Sequence, residues 1–275
     1  MAIINKKDMF WISFSAIASI LFVVFIDNTY QWINKKIIAS IILGLIYGYF
    51  KLKSVNKRAK KFFDQKKNYA LVIAHPDDEV MFFSPTILSL CQHVNLFIVC
   101  VTKGNYYGLG KIRKAELYES CYYLGIPKNR VLFLKDRKFF DHPTLKWDTV
   151  LLSEKLQLLL QTFQINSVLT FGPNGVSGHI NHIDLHTAVC SLNSYQILYL
   201  KDVNIFRKYT SCLDIVYTYF SQPSSNLLFI NENMSKTFWS LRKHKSQFVW
   251  FRLLYIIFSR YVLVNDWIVY KEIQS

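Results

Sequence analysis

From Tyr69 to the C-terminus, short apolar runs alternate with longer amphipathic stretches, and this alternation restricts the fold more than any other feature. We predict strands at Ala70–Ala74, Val94–Val101, Val131–Leu134, Ser167–Phe171, Gln196–Leu200 and Leu227–Ile230. Stretches such as Lys111–Leu124 and Thr149–Phe163 have the spacing of amphipathic helices. Buried strands that alternate with helices predict an α/β fold, a Rossmann-like, mostly parallel sheet with helices on both faces.

The N-terminal part of the chain carries a long uncharged run. Met9–Ile26 has 18 residues without a charge, which as a helix would be about 27 Å long, close to the thickness of a bilayer core. We predict a transmembrane helix here. A cleaved signal peptide is the alternative, because Lys6 and Lys7 supply basic residues in front of the run, but no A-x-A-like cleavage site follows it.

A second uncharged run, Ile37–Phe50, has 14 residues and would span only about 21 Å as a helix. It is either a short tilted partner in a helical hairpin or a segment that lies in the membrane interface. Basic residues crowd positions 51–67, and such a cluster stays on the cytoplasmic side. We therefore divide the chain into a membrane anchor with its basic cluster, residues 1–68, and a cytosolic domain, residues 69–275.

The charge distribution argues against nucleic-acid binding. The chain has a net charge of +15, but twelve basic and three acidic residues lie in 1–68, so +9 of that total belongs to the anchor region. A nucleic-acid-binding protein would carry this charge on its folded domain, whereas here it can contact anionic lipid. The five cysteines form no C-x-x-C pair and indicate buried thiols in a reducing compartment.

Ionisable side chains follow the first predicted strand directly. The run Ala74–Glu79 contains His75, Asp77, Asp78 and Glu79 at the start of a helix. Carboxylates cap helix N-termini, so capping by Asp77 or Asp78 is one interpretation. Capping needs a single acid and explains neither the histidine nor the second aspartate, and the crowded groups repel one another unless a cation or a nearby positive charge compensates them.

Two further strand ends carry polar residues, and the carboxyl ends of strands are where such sheets bind ligands. The second predicted strand ends in Thr102–Asn105, followed by a glycine-bearing loop and a helix that contains Arg113. The fourth ends in a loop with Gly172, Gly175 and Gly178 that leads to His179 and His182, with His186 four residues further on. Three histidines within eight residues are hard to explain as core packing.

Together, these strand ends can supply His75, Asp78 and either His182 or His186 to one metal ion. Two histidines and a carboxylate match a catalytic zinc site with an open position for water. Asp77 is the candidate to take a proton from that water, and His179, as an imidazolium, the candidate to stabilise an oxyanion. This set predicts metal-assisted hydrolysis of an amide or an ester.

The motifs A-H-P-D-D-E at residues 74–79 and H-x-x-H at 179–182 resemble those of the LmbE-like, or PIG-L, family of zinc de-N-acetylases. The resemblance implies that His75, Asp78 and His182 bind the metal, Zn²⁺ or another divalent ion such as Fe²⁺. It also implies Asp77 as general base and His179 as the protonated group that faces the oxyanion and the leaving amine. By the same resemblance, substrate contacts are expected from Arg113, Lys103, Asn105 and His244.

Among family members, the eukaryotic branch looks most similar, through Thr102–Asn105, the glycine loop and the stretch that begins at His244. That resemblance implies a membrane-embedded glycolipid substrate, N-acetylglucosaminyl-phosphatidylinositol, in the second step of GPI-anchor synthesis. The enzyme would lie in the endoplasmic reticulum membrane with its catalytic domain in the cytosol. The alternatives are de-N-acetylation of a soluble N-acetylglucosaminyl conjugate and a membrane scaffold without catalysis. Protein partners are not indicated.

The C-terminal stretch Phe248–Trp267 is rich in aromatic and aliphatic residues. Arg252 and Arg260 interrupt it, so it is a poor spanning helix. It either packs in the core or makes a second contact with the membrane.

Overall fold

The computed structural model describes Ser19 and residues 35–221 and 227–272. The predicted membrane helix Met9–Ile26 therefore lies outside the described residues, apart from Ser19. The helices are α1 Lys35–Phe62, α2 Asp78–Phe82, α3 Ser84–Leu90, α4 Gly110–Leu124, α5 Thr149–Thr162, α6 Ile180–Cys190, α7 Ile205–Tyr209, α8 Cys212–Ser221, α9 Met234–Leu241, α10 Trp250–Phe258 and α11 Arg260–Leu263. The strands are β1 Asn68–Ile73, β2 Asn95–Cys100, β3 Val131–Phe133, β4 Ser167–Thr170, β5 Gln196–Leu200, β6 Leu227–Ile230 and β7 Val264–Lys271.

One seven-stranded sheet, in the order β3-β2-β1-β4-β5-β7-β6, organises the described part of the chain. Strands β1 to β5 run parallel to one another, with Leu71 of β1 paired to Ile98 of β2 and to Leu169 of β4. The chain moves outward from β1 in one direction to β2 and β3, and from β4 in the other direction to β5. Because crossovers between parallel strands are right-handed, the two directions place their helices on opposite faces and leave a crevice at the β1/β4 boundary.

All six predicted strands are confirmed, and the sheet has one strand that the sequence analysis missed. β7 lies inside and beyond the stretch Phe248–Trp267 and pairs antiparallel with both β5 and β6, so the sheet is mixed. Trp267 is buried, stacks on Phe83, and donates a hydrogen bond from Nε1 to Thr86 Oγ1 at 2.8 Å. Core packing is therefore the correct interpretation for the end of that stretch, whereas α10, at its start, is largely exposed.

The second apolar run, 37–50, belongs to α1, which continues without a break through the basic residues that follow. Near its C-terminal end, Ala59 and the adjoining Phe63 lie in the core, and Asn56 Nδ2 donates to Glu232 Oε1 at 2.9 Å. The other half is mostly exposed, with Leu45 and Tyr49 packed against the buried side chains of β6 and β7. Among the described helices α1 alone is long and apolar enough to cross a membrane, by length and composition, and only 7% of its apolar window is buried.

A buried cluster of charged side chains links α7, α8 and α11, near the edge of the sheet that contains β6 and β7. Asp214 of α8 accepts a hydrogen bond from Arg207 Nε of α7 at 2.6 Å and a second from Arg260 Nε of α11. Asp214 and Arg260 are both buried. Burial alone would raise the pKa of Asp214, but the two guanidinium groups outweigh it and lower this pKa below its usual value.

We predict that Asp214→Asn destabilises the protein by about 3–5 kcal/mol, because Arg260 would keep a buried charge without its partner. Since the pKa of Asp214 is lower in the folded chain, its contribution is complete at neutral pH and disappears as the pH falls through the folded value. Urea unfolding of the full chain in nanodiscs at pH 7 and in acid measures both effects. Glu154→Gln, at an exposed position of α5, is the control. An equal loss of stability in both variants would contradict this prediction.

Candidate active site

The turn from β1 to α2 forms one wall of the site. The Asp78 carboxylate accepts hydrogen bonds through Oδ2 from the backbone N–H groups of Ala74, at 3.1 Å, and His75, at 2.8 Å. Asp77 has a left-handed backbone, with φ 109°, a conformation that costs a residue with a side chain about 1–3 kcal/mol. Its side chain makes no capping hydrogen bond to α2. Helix capping therefore does not account for Asp77.

The loop from β4 to α6 forms the facing wall. Gly175 has φ +62°, and a Cβ there would lie 2.7 Å from the Cβ of His182, so the close approach of the loop to α6 requires glycine. Asp202, which follows β5, accepts hydrogen bonds from the backbone N–H groups of Asn174, at 2.7 Å, and Val176, at 2.8 Å. The loop is thereby fixed beside the end of β1.

A stacking contact and a hydrogen bond orient the ring of His182. Its ring stacks on Phe171 with centroids 4.0 Å apart, and its Nδ1 lies 3.0 Å from the carbonyl oxygen of Gly175. This carbonyl can only accept, so Nδ1 carries a proton, and in the neutral form of the ring the lone pair is on Nε2. Nε2 lies 3.3 Å from Asp78 Oδ1 and 3.4 Å from His75 Nδ1.

His75 is arranged in the same way from the other side. Its Nε2 lies 3.1 Å from Asn181 Oδ1 and 3.3 Å from Asp141 Oδ1, which are both acceptors. Its Nδ1 therefore faces Asp78 Oδ2, at 3.6 Å, and the lone pair of His182. Lone pairs of two imidazoles and a carboxylate converge in a buried space, which is the donor chemistry of a divalent metal site with its outer hydrogen bonds in place.

The electrostatics of these residues also favour a cation between them. Burial alone would lower the pKa of His75, but the hydrogen bond and charge of Asp78 outweigh it and raise this pKa. Burial alone would raise the pKa of Asp78, but His182 and His75 hold it well below its usual value. The carboxylate is therefore charged at neutral pH and needs a positive partner.

His179 and His186 take different positions. The ring nitrogens of His75, His179 and His182 lie within 4.8 Å of one another, so His179 belongs to the cluster that can hold a metal ion. His186 turns away and places Nδ1 2.8 Å from the carbonyl oxygen of Phe171. Of the two later histidines proposed as ligands from the residues alone, the structure brings His182 to the site and leaves His186 out.

The electrostatic state of His179 differs from the predicted imidazolium. Burial and the neighbouring His75 and His182 lower the pKa of His179 to about 4. In this arrangement it is a neutral imidazole at neutral pH. A positive His179 therefore requires additional negative charge beside it, such as an oxyanion that forms during a reaction.

Two guanidinium groups hold the side chain of Asp77. Arg252 of α10 donates from Nη2 to Asp77 Oδ2 at 2.7 Å, and Arg113 Nη2 of α4 lies 3.6 Å from Oδ1. Arg113 also donates to the carbonyl oxygen of Pro76, at 2.8 Å, and to Asp141 Oδ2, at 3.1 Å. Arg113 is thus buried within the site wall and links its carboxylates.

The Glu79 carboxylate accepts hydrogen bonds that stabilise the turn from β1 to α2. Its Oε2 accepts from the backbone N–H of Asp77 at 3.0 Å, and its Oε1 accepts from Ser120 Oγ at 2.5 Å and from His244 Nε2 at 2.6 Å. Burial alone would lower the pKa of His244, but the charge of Glu79 outweighs it and raises this pKa. The expected contact of His244 with substrate is therefore corrected: its side chain is 0% exposed and acts on the site through Glu79.

The other expected substrate contacts, Lys103 and Asn105, are both exposed on the segment after β2. Asn105 Oδ1 accepts from the backbone N–H of Gly110 at 2.8 Å and so fixes the start of α4. Their contact with a substrate stays a prediction.

Sequence reasoning missed three residues of this site. Asn181 lies inside the H-x-x-H motif, and Asp141 lies in the loop after β3, so position at a strand end or in a motif was an available signal. Arg252 has no such signal, because it is 175 positions from Asp77 and reaches it only through the fold.

Comparisons with known proteins find relatives that are named de-N-acetylases. The family model described as GlcNAc-PI de-N-acetylase matches residues 70–193. The N-acetylglucosaminyl-phosphatidylinositol de-N-acetylase of Bos taurus is 39% identical over 204 residues, covering 71% of this chain and 81% of the relative. That of Saccharomyces cerevisiae is 34% identical, covering 84% and 92%. A probable enzyme of the same name from Dictyostelium discoideum is 34% identical, covering 75% and 94%.

Solved structures share the fold at low identity. A deacetylase of the teicoplanin biosynthetic pathway has a TM-score of 0.52 at 13% identity and covers 74% of this chain and 98% of its own. The A40926 pseudoaglycone deacetylase Dbv21 has a TM-score of 0.51 at 13% identity, with 76% and 100% covered. From the extent and identity of the sequence relatives, the chain belongs to the PIG-L family of GlcNAc-PI de-N-acetylases.

Proposed function

We propose that the protein hydrolyses the N-acetyl group of N-acetylglucosaminyl-phosphatidylinositol to give glucosaminyl-phosphatidylinositol and acetate, the second step of GPI-anchor synthesis. The observation that carries the proposal is the convergence of His75, Asp78 and His182 beside Asp77. The residues lie at the β1/β4 boundary of a chain whose relatives bear the name of this activity. In the reaction, water adds to the acetamide carbonyl carbon, the C–N bond breaks, and the amine leaves with a proton.

The proposed metal ligands are His75, Asp78 and His182, and the proposed ion is Zn²⁺, with Fe²⁺ as an alternative. A bound divalent ion supplies Lewis-acid chemistry that activates water near neutral pH. Asp77 accepts the proton of the attacking water as general base, and Arg113 and Arg252 keep its carboxylate oriented. His179 takes up a proton from solvent as the negative charge of the oxyanion develops beside it, stabilises the oxyanion and donates that proton to the leaving amine, and Asp77 then releases the water proton to solvent.

The same proposal includes the membrane. Residues 1–68 form the anchor and its basic cluster, and residues 69–275 form the catalytic domain at the cytosolic face of the endoplasmic reticulum. The exposed apolar half of α1, followed by basic residues, supports contact with an anionic bilayer surface. The proposed partners are thus the bilayer and the glycolipid within it, and no nucleic acid.

We expect membranes that contain the protein to release acetate from N-acetylglucosaminyl-phosphatidylinositol. A chelator should abolish the release and added Zn²⁺ should restore it, because the converging lone pairs need a divalent ion to be productive. Membranes from cells without the protein are the control. Release that a chelator leaves unchanged would contradict the proposed metal, and absence of release from folded protein would contradict the proposed substrate.

Single substitutions separate the proposed roles. Asp78→Asn and His182→Ala should lose bound metal and activity together. Asp77→Asn and His179→Ala should keep the metal, and Asp77→Asn should lower kcat by about 10²–10⁴-fold because a general base is lost. Metal content by mass spectrometry and acetate release measure the two properties, and Glu119→Gln, at an exposed position of α4, is the control. Loss of metal from His179→Ala with retention in Asp78→Asn would exchange the roles of these two residues.

The sequon Asn233-Met234-Ser235 tests the orientation. Asn233 starts α9, where its Oδ1 accepts from the backbone N–H of Lys236 at 2.8 Å. If the domain faces the cytosol, the sequon is not glycosylated. We therefore expect the wild type and Ser235→Ala to migrate identically on gels before and after glycosidase treatment. A shift that appears only in the wild type and disappears on treatment would place the domain in the lumen.

A further inference from the structure

An apolar cavity opens beside the candidate active site, between α2, α7 and α10. Its volume is about 610 Å³, within the range of small-molecule sites. Met81, Tyr209, Phe251, Leu254 and Phe258 contribute apolar and aromatic side chains to its lining. The mechanism proposed above does not use this space.

The cavity is continuous with the site through shared residues. Met81 belongs to α2, the helix that Asp77 and Asp78 begin, and Tyr255 of α10 donates from its hydroxyl to the carbonyl oxygen of Met81 at 3.1 Å. Arg252 lines the cavity and binds Asp77 with Nη2, while its buried Nε has no hydrogen-bond partner among the described residues. The cavity therefore has an apolar body and one cationic group at its end toward the site.

Exposed apolar side chains also lie on α7 and α10, two of the helices that line the cavity. Trp250 of α10 is 76% exposed and Phe206 of α7 is 79% exposed, with Ile205 beside it at 68%. Large apolar side chains grouped in this way on a surface mark contact with lipid or another apolar partner.

We propose that this cavity binds an acyl chain of a phospholipid-linked substrate, with Arg252 at the position of its phosphodiester. The proposal rests on the proposed function, because the substrate there is a glycan joined through a phosphodiester to two acyl chains. A ligand with an anionic group next to hydrocarbon matches a cavity with one guanidinium group next to apolar walls. The glycan would then lie on the side of Arg252 where Asp77 lies.

Chain length is the property that this cavity should recognise. Each methylene that enters an apolar cavity improves binding by up to about fourfold. We measure the dissociation constants of dibutanoyl and dihexanoyl phosphatidylinositol, both kept below their micelle concentrations, for the full chain in nanodiscs by calorimetry. Empty nanodiscs correct for partition into the bilayer. The wild type should bind the dihexanoyl lipid about tenfold more tightly.

Two adjacent leucines provide a matched pair of variants. Leu253 and Leu254 are each 43% exposed on α10, but only Leu254 lines the cavity. Leu254→Asn should reduce the preference for the longer chains to less than threefold, and Leu253→Asn should keep it. Thermal unfolding of both variants shows that the fold is retained.

The outcomes distinguish this inference from the proposed function. An equal loss of preference in both variants, or no preference in the wild type, would overturn the cavity assignment and reduce α10 to a surface that rests on the bilayer. Acetate release without a chain-length preference would support the proposed function and reject the acyl-chain cavity. Chain-length preference confined to the cavity, without acetate release, supports the acyl site and rejects the reaction.

Discussion

The carboxylate of Asp78 is the interaction on which the site depends. One of its oxygens accepts two backbone N–H groups at the end of β1, and both oxygens face imidazole nitrogens from two different strand ends. This arrangement is possible only because β1 and β4 are adjacent and parallel, so that their carboxyl ends meet. A charged carboxylate at this depth is stable because its backbone hydrogen bonds and the facing imidazoles of His75 and His182 replace the water that it lost.

Most of the sheet could be predicted from local pattern, since a strand buried on both faces is a short apolar run between turn residues. β7 could not. Only the short helix α11 separates it from the apolar helix α10, and Asn265 and Asp266 interrupt its apolar run with buried polar side chains. Distant parts of the fold supply partners for both: Asn265 Nδ2 donates to the carbonyl oxygen of Phe82 at 2.7 Å, and Asp266 Oδ2 lies 3.6 Å from Lys201 Nζ. Residues 267–270 are good strand formers, but the two buried polar residues in front of them break the apolar pattern, and tertiary hydrogen bonds make their burial possible.

The residues of the site also fall into two groups: those that sequence motifs predict and those that only the fold brings together. His75, Asp77, Asp78, His179 and His182 lie in two short motifs at strand ends, and knowledge of strand order brings those motifs together. His244 and Arg252 come from the far end of the chain, and their contacts with Glu79 and Asp77 depend on how α9 and α10 pack over α2. A sequence motif predicts the residues that meet the reacting atoms, whereas the residues that orient them are defined by packing.

The position of Arg252 would connect the proposed chemistry to the proposed acyl-chain cavity. A left-handed aspartate at the start of α2 holds its carboxylate toward two guanidinium groups, and one of these belongs to the most exposed apolar helix of the C-terminal part. Because α10 is anchored to α2 by the Tyr255 hydroxyl as well, a shift of this helix moves the donor that orients Asp77. An acyl chain that fills the cavity between them would fix α10 in place. Lipid binding and orientation of the general base would then be two consequences of one packing contact, and a headgroup without acyl chains would be a poorer substrate through kcat as well as KM.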